Sequence, residues 1–196
     1  MMEKPPRPRN AAATREAILR SAIAAFARHG YDGAGVREIA AGAGVTAMLV
    51  NRYFGSKEQL FVEASAATLE QPVILSADTV ASPAPWDDMA RKLVAITDPA
   101  AEALAGFQIM LRSASSARAA ELGRAQIDAH HQRTMEKLIR DEPVAERAAL
   151  ALAIVAGVQV LRQMIGIKAL AKADPATLEA LLSPLFRQLI EGDATS

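Results

Sequence analysis

The sequence predicts an all-α protein of about nine helices, arranged as a small N-terminal module and a larger helical bundle. Alanine is abundant and runs of β-branched residues are scarce, a composition that favours helices over strands. Apolar residues recur at the spacing of amphipathic helices along most of the chain. Glycine and proline residues separate these stretches and indicate where the helices begin and end.

Charge is distributed unevenly along a chain whose 22 basic residues balance its 22 acidic residues. Residues 1–57 hold nine Lys and Arg but four Asp and Glu, whereas residues 58–196 hold thirteen and eighteen. This split predicts a basic module attached to an acidic one. The chain has 196 residues, 51% of them apolar, which is enough to bury a substantial core.

Residue content argues against several classes of protein. The absence of cysteine excludes disulfides and thiolate zinc sites, and three histidines are too few for a His-rich metal centre. The chain has no GxxxxGK[ST], GxGxxG or GxSxG motif, so we expect no enzyme, no cofactor and no metal. The longest uncharged run, Ala148–Leu161, is too short to span a bilayer, and the N-terminus is polar. We therefore expect a cytoplasmic protein without a membrane segment.

The first 29 residues are predicted to form an arm followed by a helix. Residues 1–13 form a disordered basic arm in this prediction, because they begin with a polar, proline-rich stretch. The first helix is expected over 14–29, with Thr14 as its cap. Gly30 can adopt the positive φ that ends a helix.

Three short helices are expected next, and their ends carry capping signals. The predicted ranges are 36–43, 46–54 and 57–70. Gly35 and Thr46 are placed to cap the first two. Ser56 and Gln59 give the S-x-x-Q pattern of a capping box for the third.

The remainder of the chain is predicted to be a connector and five further helices. Residues 71–85 contain three prolines and are expected to link the two modules. The predicted helices are 86–97, 99–115, 117–140, 143–171 and 175–191. Pro99, Pro143 and Pro175 stand where prolines are tolerated in a first turn. The helix over 143–171 is apolar on more than one side, which predicts burial on more than one face.

The helices over 36–43 and 46–54, with the glycine-containing turn between them, have the pattern of a helix-turn-helix. Val50 and Phe54 are predicted to point to the core. Met48, Asn51 and Arg52 then fall roughly on the opposite face. A helix of this size fits the ~12 Å major groove of B-DNA, so the pattern predicts a DNA-binding domain.

Residues 14–62 contain the segments AFARHGYDGAGVREIAAGAGVT and NRYFGSKEQLF in one register. On these segments, residues 14–62 resemble the DNA-binding domain of the TetR family of transcriptional regulators. A later segment, GVQVLRQMIGIKALAKADPATLEALLSPLF, is similar to the closing helix pair of one subgroup of the family. The resemblance implies that residues 63–196 are a helical ligand-binding and dimerisation domain.

The resemblance and side-chain chemistry together predict a set of DNA-contacting residues. The set is Arg37, Thr46, Ala47, Met48, Asn51, Arg52, Tyr53 and Lys57. Arginine can pair with guanine and asparagine with adenine, whereas Met48 can contact a thymine methyl group. The resemblance implies phosphate contacts for Tyr53 and Lys57. The alternatives are ordinary surface side chains and, for Thr46, a helix cap alone.

Three residues depart from the usual pattern of the family. Position 51 is Asn rather than Tyr, position 48 is Met rather than Pro or a small residue, and position 35 is Gly rather than Ser or Thr. The changes at 48 and 51 lie on the face predicted to meet DNA. We expect them to alter which operator is bound rather than to abolish binding.

Two further sets of residues are expected in the larger module. Apolar stripes on the last two long helices predict a dimer interface formed by Gly157, Val158, Leu161, Ile165, Leu178, Leu181, Leu182 and Leu185. Bulky or polarisable residues predict a ligand site formed by Trp86, Phe107, Met110, His130, Met135 and Met164, with ordinary core as the alternative.

These features predict a homodimeric transcriptional regulator, in the first place a repressor. It would bind a palindromic operator in double-stranded DNA and be released by a small, largely apolar inducer. A second hypothesis is a helical protein that sequesters a ligand or binds another protein and has lost DNA binding. A third is an all-helical enzyme.

Overall fold

The computed structural model describes residues 8–69, 72–101 and 104–192, and all regular structure in these ranges is helical. The α-helices are α1 Pro8–Gly33, α2 Val36–Gly42, α3 Ala47–Phe54, α4 Lys57–Leu69, α5 Ala77–Val80, α6 Pro85–Ile96, α7 Ala105–Ser113, α8 Ala117–Gln126, α9 Arg133–Glu136, α10 Val144–Val158, α11 Lys168–Ala171 and α12 Pro175–Glu191. Two π-helical turns, Ile127–Gln132 and Gln159–Met164, follow α8 and α10. The predicted all-α class is confirmed.

The helices form two compact units. The first contains α1 to α4 together with residues 105–124, and the second contains residues 72–101, 104 and 125–192. The division differs from a boundary at residue 62, because α7 and most of α8 join the N-terminal helices in the first unit. The domains 1–13, 14–62 and 63–196 stay a prediction, made from the resemblance rather than from packing.

The start of α1 differs from the prediction. The helix begins at Pro8, so residues 8–13 are helical and Thr14 lies inside the helix instead of capping it. The rest of the predicted arm, residues 1–7, lies outside the described residues. Gly30 has the predicted positive φ, 67°, and the helix kinks there. A side chain at this position would collide with the backbone carbonyl of Arg112, so only glycine fits.

The core of the first unit is built around an aromatic cluster. The rings of Phe26 and Phe61 meet edge to face at 5.1 Å, and Tyr31 meets Phe61 at 5.0 Å. Ile109 of α7 is buried in the same core. Burying one side chain of this size contributes about 1.5–3 kcal/mol, so α7 stabilises the N-terminal helices directly.

The core of the second unit lies among α6, α9, α10 and α12. Its fully buried side chains include Met89, Leu93, Met135, Phe186 and Ile190. Arg162 of the second π-helical turn is also buried. Its guanidinium donates to the carbonyls of Val94 and Leu170 and, at 2.9 Å, to the hydroxyl of Thr97. Val94 and Thr97 lie at the C-terminal end of α6, where a cation is favourable.

The long predicted helices are interrupted for local reasons. The helix predicted over 99–115 is shorter in the structure, where α7 begins at Ala105. The Asp98 side chain accepts from the Ala100 amide at 2.8 Å and forms a turn where the helix was predicted to begin. Pro99 is therefore outside any helix, contrary to prediction. π-Helical turns divide 117–140 and 143–171, and Gly166, at φ 70°, ends the second. Pro85 and Pro175 occupy first turns, and Pro143 precedes α10 as its cap.

Candidate nucleic-acid interface

The turn between α2 and α3 is fixed by backbone hydrogen bonds and by close packing against α1. The amide of Val45 donates to the carbonyl of Ala40 at 2.9 Å, and Gly44 has φ 68°. The hydroxyl of Ser21 on α1 donates to the carbonyl of Ile39 at 2.8 Å. These contacts hold the two short helices as one helix-turn-helix element.

The inner face of α3 packs as the apolar spacing predicts. Val50 and Phe54 are 2% and 4% exposed and join Ile39 and Ala40 of α2 in the core. The guanidinium of Arg15 lies 4.7 Å from the centre of the Phe54 ring. Because the inner face is held this firmly, the opposite face of α3 points outward.

The outward residues Thr46, Met48, Asn51 and Arg52, which we call the α3 outer face, are all exposed. Met48 has 81% of its surface accessible. Thr46 stands at the cap position, yet its side chain makes no capping hydrogen bond, so the predicted cap bond is wrong. Its hydroxyl is therefore available to another partner, as is the exposed Arg37 side chain on α2.

The start of α4 places a lysine beside this face. The hydroxyl of Ser56 accepts from the Gln59 amide at 3.0 Å, which confirms the predicted serine cap. The Lys57 ammonium lies 4.8 Å from the centre of the Tyr31 ring and donates to the carbonyl of Asp32 at 3.4 Å. Lys57 and Tyr53 are half-buried, and so is Ala47. A positioned cation at a helix N-terminus suits a phosphate group.

Two acidic residues near this surface, Glu38 and Glu58, are each paired with an arginine. Glu38 of α2 lies 3.2 Å from His29 and 3.7 Å from Arg28. Arg118 pairs with Glu58 of α4, and its hydrogen bond holds the pKa of that carboxyl below its usual value. Among the residues that the structure describes, Arg37 and Arg52 form no ion pair. The surface therefore presents uncompensated positive charge.

The predicted ligand residues are divided between the two units. Phe107 and Met110 belong to the first unit, whereas the other four belong to the second. Met135 is fully buried in the core, and Trp86 is half-buried beneath Arg187, whose guanidinium lies 5.3 Å from the ring centre. Met164, Phe107 and Met110 are half-buried.

The histidine pair is placed differently from the prediction. His130 is exposed, and its neighbour His131 is the half-buried member. Burial and the nearby His130 lower the pKa of His131. Adjacent helical residues point about 100° apart, so the pair itself could not reveal which member faces inward.

The predicted dimer residues divide between the surface and the core. Leu178 and Leu182 are 6% and 8% exposed and pack into the chain's own core, so they offer little surface to a partner. Gly157 and Val158 are half-buried. The remaining four are exposed, and so is Leu150, which lies on the same predicted apolar stripe. We call the exposed set the apolar face: Leu150, Leu161, Ile165, Leu181 and Leu185.

The stretch Val144–Met164 is long and apolar enough, by length and composition alone, to cross a bilayer. Its mean hydropathy is 1.8 and 17% of the window is buried. Charged residues interrupt the stretch near both ends, and on that ground the sequence predicts no membrane segment. The same composition is typical of a helix that is covered by other protein helices. This helix carries Leu150 and Leu161 of the apolar face.

Comparison with known proteins matches both parts of the chain to one family. Residues 18–64 match the model of bacterial regulatory proteins of the tetR family, and residues 87–190 match the tetracyclin repressor-like C-terminal domain. An HTH-type transcriptional repressor of Streptomyces coelicolor is 39% identical over 66 residues. That match covers 34% of this chain and 32% of the relative, so it spans about a third of either protein.

Solved structures of bacterial regulators share the fold over most of the chain. A TetR-family regulator from Streptomyces coelicolor A3 is 21% identical with a TM-score of 0.59, covering 95% of this chain and 99% of that one. A transcriptional regulator from Rhodococcus sp. is 25% identical with a TM-score of 0.62, covering 89% and 95%. Regulators of this family are DNA-binding transcription factors and not enzymes. Since the C-terminal model alone spans more than half of the sequence, the chain belongs to the TetR family of bacterial transcriptional regulators.

Proposed function

We propose that this regulator is a homodimeric, cytoplasmic repressor that binds a palindromic operator and is released by a small, largely apolar molecule. The observation that carries the DNA-binding part is the α3 outer face, which is exposed while the opposite face of the helix is buried. Its Thr46, Asn51 and Arg52 side chains make no hydrogen bond with any described residue. Arg37 and Lys57 add positive charge beside it.

The proposed DNA contacts divide by chemistry. Arg37 and Asn51 can reach base edges, and Arg52, Lys57 and Tyr53 suit phosphates. The Thr46 hydroxyl can donate to a phosphate, and the small Ala47 side chain allows α3 to approach the groove closely. The cation–π contact with Tyr31 holds the Lys57 ammonium in place before DNA arrives, which reduces the entropy lost on binding.

The apolar face supports the proposed dimer. Ile165 and Leu181 are 63% and 62% exposed, which is unfavourable for side chains of this size in water. A Cβ added at Gly157 would meet nothing within 4 Å, so no residue that the structure describes requires glycine there. A glycine inside a helix costs about 1 kcal/mol relative to alanine, and a second helix that approaches closely would explain it. Two-fold pairing would also place two α3 helices for a palindrome.

The second unit is the proposed site of inducer binding, with some first-unit residues of α7 as further candidates. Trp86, Met164, Phe107 and Met110 keep accessible surface that a largely apolar molecule could cover. Met135 supports this region from the core, and the exposed His130 is the weakest member of the set. An inducer acts by binding the DNA-incompetent state more tightly than the DNA-competent state. To change the ratio of these two states from 1:99 to 99:1, the difference in binding free energy must be about 5.5 kcal/mol.

A titration of the full-length protein against DNA that flanks its own gene tests this function. We expect nanomolar binding that weakens steeply between two salt concentrations, because lysine and arginine release counterions from phosphates. Arg37→Ala should weaken binding, whereas Arg124→Ala, an exposed arginine of α8 outside the helix-turn-helix, should not.

The same fragment separates the rival hypotheses. A failure to prefer any sequence, with intact folding, would favour a protein that sequesters a ligand. If binding is specific, displacement of the labelled fragment by a panel of apolar small molecules tests the inducer. Light scattering at the concentrations of the titration gives the number of chains that bind.

A further inference from the structure

Resting on the proposed function, we infer that Met48 and Asn51 read two neighbouring A·T base pairs in each operator half-site. Asn51 would pair with the N6 and N7 groups of an adenine, and Met48 would pack on the C5-methyl group of the adjacent thymine. The inference concerns which bases are chosen, and so goes beyond the statement that α3 enters a groove.

The first step is that both side chains are accessible to a partner. Met48 is 81% exposed, and the Asn51 side chain forms no hydrogen bond within the described part of the chain. The backbone of the helix is hydrogen-bonded at this point, since the Asn51 carbonyl accepts from the Gly55 amide at 2.8 Å. The side chains are thus presented by a hydrogen-bonded helix and are accessible to a partner.

The second step is their spacing. Positions 48 and 51 are three residues apart, so they lie on one side of α3 and about 4.5 Å apart along its axis, at 1.5 Å per residue. Base pairs in B-DNA are stacked about 3.4 Å apart. Two side chains at this spacing reach consecutive base pairs more readily than they reach a single base pair or two base pairs that are further apart.

The third step is the chemistry that each side chain can recognise. In the major groove the thymine methyl group is the apolar feature of a base edge, and it is the natural contact for a flexible thioether. The asparagine amide matches adenine, which offers an acceptor at N7 and a donor at N6. Guanine and cytosine edges offer only acceptors or only a donor, so they leave one end of the amide unpaired.

The test begins with selection of a preferred operator from a random duplex library by the full-length protein. In that operator each thymine is then replaced singly by uracil, which removes only the C5-methyl group, and each adenine by 7-deazaadenine, which removes only N7. We expect uracil at one position per half-site to weaken binding about four-fold, the factor expected for one buried methyl group. At the neighbouring pair, 7-deazaadenine should weaken binding about ten-fold.

Matched variants assign each loss to one residue. Met48→Ala should lose its sensitivity to uracil and keep its sensitivity to 7-deazaadenine, and Asn51→Ala should show the converse. If uracil is tolerated everywhere, or if Met48→Ala remains as sensitive as the natural protein, the inference is wrong although the protein still binds DNA. If no operator can be selected and the protein is folded, it is the proposed function that fails.

Discussion

The α3 outer face and the apolar face both expose large hydrophobic side chains, yet their surroundings differ. Met48 on α3 stands alone among Thr46, Asn51 and Arg52, whose polar groups can meet base edges and phosphates. The apolar face groups five large aliphatic side chains from the second half of the chain. An isolated apolar group within a polar surface suits a polar partner with one methyl group, whereas several exposed aliphatic side chains on neighbouring helices suit another protein surface.

The largest effect is expected from a charge on the apolar face. Leu181→Arg should convert a dimer to a monomer, because pairing would bury an unpaired charge. Operator affinity should then fall by about 10²–10⁴, since the two half-sites are no longer linked. Light scattering and a binding titration check both results. Leu181→Met keeps the surface apolar and should preserve the dimer, and a dimeric Leu181→Arg protein would refute the assignment of this face.

Introduction of an arginine on the α3 outer face should affect DNA selectivity and not dimerisation. Met48→Arg should leave the dimer intact and change thermal stability little, because the residue is 81% exposed. It should lower selectivity for the natural operator about ten-fold, since arginine prefers guanine at the position that methionine occupied. Competition between operator and random DNA measures this ratio. A loss of dimerisation in this variant would show that the two faces are not independent.

A smaller effect is expected for the phosphate contact beside α3. Lys57→Ala should weaken binding to all sequences by a similar factor and reduce the salt dependence by about one ion. Affinities at three or more salt concentrations give the slope. Lys168→Ala, at an exposed lysine of α11, is the matched control and should leave the slope unchanged. An unchanged slope in Lys57→Ala would mean that its contacts with Tyr31 and Asp32 are purely structural.

The smallest effect lies on neither face and concerns pH. Burial lowers the pKa of His131, so the unfolded chain binds a proton more readily than the folded chain below the ordinary pKa of about 6.5. Stability should therefore fall as the pH drops through that value towards the lowered pKa. Thermal melts at pH 7.5 and 5.5 should show a smaller difference for His131→Gln than for the natural protein. His130→Gln, at the exposed neighbour, should retain most of it.

The sequence was most informative where local spacing decides orientation. Val50 and Phe54 are four residues apart, which is sufficient to predict the inner face of α3 and therefore its outer face. Ser56 caps α4 through a contact three residues away, so its role also follows from local sequence. Both predictions are confirmed.

Predictions that depend on distant residues were less accurate. Leu178 and Leu181 are three residues apart on α12, and only the position of the core shows that the first is buried and the second exposed. The choice between His130 and His131 fails for the same reason. Arg162 carried a weak signal, as a lone cation in an apolar helix, but its partners Val94 and Thr97 are more than sixty residues away.

The backbones of α1 and α7 approach so closely at Gly30 and Arg112 that no side chain fits between them. The Tyr31 amide also donates to the hydroxyl of Ser113 at 2.9 Å, which adds a hydrogen bond beside this contact. Together the close approach and the hydrogen bond couple α1 to α7 at this point, so that the two helices should move as one body. A force that displaces α7 would turn the DNA-reading helices with it, and random mutagenesis should find almost no tolerated replacement at position 30.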